Sequence, residues 1–119
     1  MADVVEERAG VQVLVCDSDG PEVSTVQDAL DLIGASYGGE AVALPAARLD
    51  ARFFDLRSGF AGEVMQKFVN YRVRLAILGD ISAHLAASSA LQALVRESNR
   101  ANHVWFLPDL PALDARLAA

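Results

Sequence analysis

Two sets of polar side chains in the 119-residue chain have types and spacing that could do chemistry. Asp17, Ser18 and Asp19 follow one apolar run, and Gly79, Asp80, Ser82 and His84 follow another. If both runs are parallel strands, these residues share the carboxyl end of one sheet, where ligands of open α/β folds collect. Asp17 and Asp80 would there form a carboxylate pair able to hold a cation or share a proton. Alternatively, each bonds amides of its own loop. The second set is Gln66, Lys67, Asn70 and Tyr71 with Glu97, Ser98, Asn99, Asn102 and His103. Gln66 and Asn70 lie one helical turn apart, as do Lys67 and Tyr71 on the next face. Lys67, Tyr71, Glu97 and His103 are acid/base candidates if they come within hydrogen-bond reach of one substrate. A Lys67–Glu97 ion pair or an Asn99 cap would instead be structural.

Other chemistry is poorly served. Cys16, the only cysteine, excludes an internal disulfide and ends an apolar run, where a buried thiol is inert. His84 and His103 are far apart, with no carboxylate at ligand spacing beside either, so no metal site is expected. Gly-x-Ser-x-Gly, phosphate-binding glycine loops and dinucleotide fingerprints are missing, and no cofactor is expected.

The net charge of −6 argues against nucleic acid, whose phosphates demand clustered bases. That charge is uneven. Residues 1–47 set nine carboxylates against Arg8, a net −8, whereas residues 48–100 set eight bases against five acids, a net +3. Arg48, Arg52, Arg57, Lys67, Arg72 and Arg74 could receive an anionic small molecule or an acidic protein face, or could be solvated with buried stems. No apolar run reaches the roughly 20 residues that span a bilayer, and the N-terminus lacks a secretory layout, so a cytoplasmic protein is expected.

The elements that would position these groups follow from periodicity. Val4-Val5 and Val11–Cys16 flank a turn with Gly10, a hairpin signal. Ser24-x-x-Gln27 reads as a capping box for a helix with Val26, Leu30 and Ile33, closed by Gly34 and Gly38-Gly39. Ala41–Leu44 is a short strand stopped by Pro45. Phe53, Leu56, Phe60, Val64 and Phe68 recur at helical spacing, in a helix starting between Leu49 and Ser58 whose Gly59 and Gly62 predict close backbone contacts. Leu75–Leu78 is apolar throughout, like a strand covered on both faces. Ser89-x-x-Gln92 opens a helix with Leu91, Leu94 and Val95, and His103–Leu107 is the last strand. Asp109 then caps a helix over Leu110–Leu117. The order β-β-α-β-α-β-α-β-α predicts one α/β domain with a mostly parallel sheet.

The run Phe53-Phe-Asp-Leu, Gly59, Ala61-Gly-Glu63, Gln66-Lys-Phe68, Asn70-Tyr71, Leu75-Ala-Ile77 and Gly79-Asp80 resembles a bacterial family known as domain of unknown function 4180. Gln27–Leu32 and Glu97-Ser-Asn99 extend the resemblance over about residues 11–117. It implies membership but no chemistry. The element order is also similar to the STAS, SpoIIAA-like architecture, whose members bind partners or small ligands. Asp55-Leu-Arg-Ser58-Gly59 faintly resembles the serine motif phosphorylated in its regulatory members, which implies Ser58 as a phosphoacceptor.

The leading expectation is a non-catalytic regulatory or interaction module. It would bind a protein, including another copy of itself, through the sheet edge or the long helix. Asp55, Arg57, Ser58, Gly59, Glu63, Gln66, Asn70, Asp80 and Asn99 are the binding candidates, with a small anionic molecule as a further ligand class. No nucleic acid or membrane partner is expected. The alternative is a small ligand-binding protein or acid/base enzyme using one polar end of the sheet.

Overall fold

The computed structural model describes residues 3–119. Its strands are β1 (Val4–Arg8), β2 (Val11–Val15), β3 (Ala41–Pro45), β4 (Arg74–Leu78) and β5 (Val104–Leu107). Its helices are α1 (Val26–Ala35), α2 (Phe60–Asn70), α3 (Ser82–Ala87), α4 (Ser89–Arg100) and α5 (Leu110–Ala118). The sheet order is β1-β2-β3-β4-β5, antiparallel only between β1 and β2. This is the expected α/β class, with one helix more than expected.

Right-handed crossovers that step one strand at a time in the same direction put their helices on one face. Leu14, Val42, Leu44, Leu75, Ile77 and Phe106 meet Ala29, Ile33, Phe53, Val64, Phe68 and Leu91 there. Phe53 and Phe68 are essentially inaccessible to solvent. Burying each contributes about 1.5–3 kcal/mol. The other face carries Val13, Ala41, Ala43, Ala76 and Trp105 under Leu113 of α5. The alanines are small enough to let that helix lie close. Arg8 pins α5 through a two-pronged pair with Asp114 at 2.6 and 2.7 Å. On the far side Arg116 donates to the Asn99 and Ala101 carbonyls and lies 4.6 Å over the Trp105 ring.

Several local expectations need correction. The first capping box belongs to Thr25 and Asp28, not Ser24 and Gln27: the Asp28 carboxylate accepts from the Ser24 and Thr25 amides, while Gln27 donates to Asp31. Those amide bonds hold the Asp28 carboxyl below its usual range. Helix α4 is capped by Ser88 rather than Ser89. The long central helix starts only at Phe60. Before it, residues 46–58 form three 3₁₀ turns, two of them capped by the Asp50 and Asp55 carboxylates. Gly59 breaks the helical path at φ +77° and Gly62 has open space around it, so neither makes the close contact expected of it.

Candidate functional site

Asp17 and Asp80 close their own loops. Asp17 accepts from the Asp19 amide and Asp80 from the Ser82 amide, each at 2.9 Å. The Ser82 bonds hold the Asp80 carboxyl below its usual range. Asp80 lines a small cavity with Ile81, Leu85 and Phe106 in which Asp17 has no part, and among the described residues no group of three His, Cys, Asp or Glu side chains could hold a metal. Cys16 is buried, which pushes its thiol up to about 12, the wrong direction for a nucleophile.

At the opposite end the acid/base candidates are dispersed. Lys67 lies in a shallow hollow with Gly59, Glu63 and Gln66, and His103 in another with Asn102 and Arg74. Tyr71 belongs to a third cavity. Glu97 pairs with Arg100 at 3.5 Å, both exposed, instead of with Lys67. Gln66 and Asn70 bond each other along the helix surface.

Two more candidates are occupied by the fold. The Asn99 amide accepts from the Phe106 N–H at 2.8 Å and donates to the Phe106 carbonyl at 3.2 Å, standing in for a sixth strand. The Ser58 hydroxyl donates to the Arg52 and Asp55 carbonyls and accepts from the Phe60 amide, joining the last 3₁₀ turn to α2.

The structure instead presents two larger concavities. One, about 640 Å³, lies between the 51–58 turns and the α3–α4 junction, lined by Phe54, Asp55, Arg57, His84, Ser88 and Ser89. The His84 ring stacks flat on buried Phe54, 4.1 Å between centroids and 10° between planes.

The other is a groove of about 580 Å³ at the amino end of β3 and β4, with Leu30, Ile33 and Val73 as its apolar lining. Helices α1 and α2 both end on its rim. Each is followed by a left-handed residue that is not glycine, Tyr37 at φ +52° and Arg72 at φ +57°. Tyr37 is 88% exposed and Tyr71 61%. Glu40 and Arg72 line the groove, yet they form no ion pair with each other among the described residues. Sequence reasoning named Tyr71 and missed Tyr37. The available signal was an aromatic residue at a helix exit, directly before Gly38-Gly39.

A family model described as Domain of unknown function (DUF4180) matches residues 8–117. The chain belongs to that family. No curated protein and no solved structure matches it. The likeness to the STAS architecture therefore rests on element order alone. The matched span of this DUF4180 domain contains both concavities, Asn99 with its clamp, and both anchors of α5. No helix among the described residues is long and apolar enough to cross a membrane.

Proposed function

We propose that this DUF4180 domain is a non-catalytic docking module whose partner is another protein, received at the groove between the ends of α1 and α2. The observation that carries this reading is the paired left-handed ends of α1 and α2. A non-glycine residue in that conformation costs about 1–2 kcal/mol, and glycine would avoid the cost at the same positions. Spending it twice at helix ends beside one groove, at Arg72 in its lining and at Tyr37 between the lining residues Ser36 and Gly38, suits a site whose side chains matter more than local stability. Tyrosine and arginine are also the residues enriched where protein interfaces concentrate their binding energy. The enzyme reading has less support, because Lys67, Tyr71, Glu97 and His103 share no cavity.

The test compares tagged wild-type, Tyr37→Gly and Tyr71→Ser baits, with Gln66→Ala as a control on the neighbouring helix surface. Proteins retained by wild type and Gln66→Ala should be lost by both tyrosine variants. Equal retention by all four baits would overturn the reading.

A further inference from the structure

We propose that the cleft between the 51–58 turns and the α3–α4 junction binds a small phosphate-bearing molecule, held by the Arg57 guanidinium and the His84 imidazole. The fold supplies its own comparison. Asp50-Ala-Arg52 and Asp55-Leu-Arg57 are the same Asp-x-Arg turn, each aspartate accepting from the arginine's backbone N–H. In the first turn the guanidinium folds back onto the Asp50 carboxylate and the Ser24 carbonyl. In the second it does not. Among the described residues no carboxylate pairs with the Arg57 guanidinium, and Arg57 lines the cleft.

His84 completes the donor set from the opposite wall. Its exposed ring rests on Phe54, itself only 6% exposed, so the stack favours one ring plane before any ligand arrives. Such pre-ordering lowers the entropy cost of binding. Ser89 adds a hydroxyl, and the first turn of α4 beside it carries no carboxylate. A planar guanidinium, an imidazole and a hydroxyl offer more donors than the two oxygens of a carboxylate ligand require. They match the three terminal oxygens of a phosphate monoester. The volume of about 640 Å³ lies in the range of small-molecule sites. Asp55 is the one carboxylate in the lining, with Oδ1 engaged by the Arg57 amide at 3.2 Å, and it opposes an anion.

The experiment is an amide NMR titration with inorganic phosphate at constant ionic strength, with acetate in parallel. Saturable shifts are expected at Arg57, His84, Ser89 and Ala90. Arg57→Gln should weaken binding about tenfold or more, as expected for losing a charged hydrogen bond. His84→Phe keeps the stack on Phe54 and loses the N–H, and should also weaken it. Asp55→Asn, which keeps an amide acceptor, should tighten it. Non-saturating shifts, an unchanged Arg57→Gln titration, or acetate binding as tightly as phosphate would each overturn the assignment. None of these outcomes touches the tyrosine groove.

Discussion

The Arg48 guanidinium lies flat against Gly20: a Cβ at residue 20 would stand 2.6 Å from the Arg48 Cζ. Arg48 is only 4% exposed and donates to the Asp3 carboxylate and to the Asp17 and Pro21 carbonyls, at 2.9–3.1 Å. One buried cation thus ties the start of β1, the loop after β2 and the turn after β3.

Substitutions at this junction should be costly in a graded way. Gly20→Ala should destabilise by about 1–3 kcal/mol through overpacking. Arg48→Ala should cost more, about 3 kcal/mol, because it empties a buried position and leaves the half-buried Asp3 carboxylate and the Asp17 carbonyl without that donor. Arg48→Lys should fall between them, lacking the planar fork. Urea unfolding checks all three; a Gly20→Ala midpoint equal to wild type would contradict the close approach.

Tyr37→Gly and Arg72→Gly should run the other way. Each relieves a left-handed conformation, and after the extra flexibility of the unfolded chain is subtracted about 0.5–1 kcal/mol of stabilisation should remain. A higher melting temperature together with lost partner retention is the expected combination. A lower melting temperature would mean that the side chains repay their strain within the monomer.

The Arg8–Asp114 bridge should give α5 a pH dependence. Hydrogen bonding to Arg8 holds the Asp114 carboxyl below its usual range. The folded value lies below the unfolded one, so the bridge's contribution is complete above about pH 4 and is lost as pH falls through the folded value. Asp114→Asn should therefore unfold more easily than wild type at pH 7, with the gap closing below about pH 4. Trp105, the chain's one tryptophan, lies under α5 and reports the transition by fluorescence. A gap that is constant from pH 7 to 3 would rule the bridge out as its source.

Cys16 should resist alkylation in the native state. With its thiol pushed up to about 12, the thiolate fraction near neutral pH is roughly a thousandfold below that of an ordinary cysteine. Labelling should accelerate sharply in denaturant. Rapid, complete modification of native protein would show that the thiol is open to solvent.

Much of the architecture was legible because burial writes itself as pattern. Leu75–Leu78 carries no polar residue because both faces of β4 are covered. The offsets from Phe60 to Phe68 follow the buried stripe of α2. The misreadings fall where short side chains compete for the same amides. Thr25 displaces Ser24 as cap because Asp28 sits three residues on. Asp50 and Asp55 turn an apparent helix into 3₁₀ steps. The candidate sites were harder to read. Asn99 looked like a binding residue because its type says nothing of the strand backbone it would meet. Tyr37 is hard to single out because an aromatic before Gly38-Gly39 marks a helix exit without revealing that the tyrosine itself takes the left-handed position.

The Asn99 clamp also bears on polymerisation. Adding molecules end to end through strand pairing consumes two open margins per copy, one on each side. On the β5 side the hydrogen-bonding slots of Phe106 are already taken by a side-chain amide, and on the β1 side Glu6 and Glu7 would meet their own kind in a self-paired strand. The occupied Phe106 slots and the acidic β1 edge thereby weigh against strand addition at both margins of an open sheet.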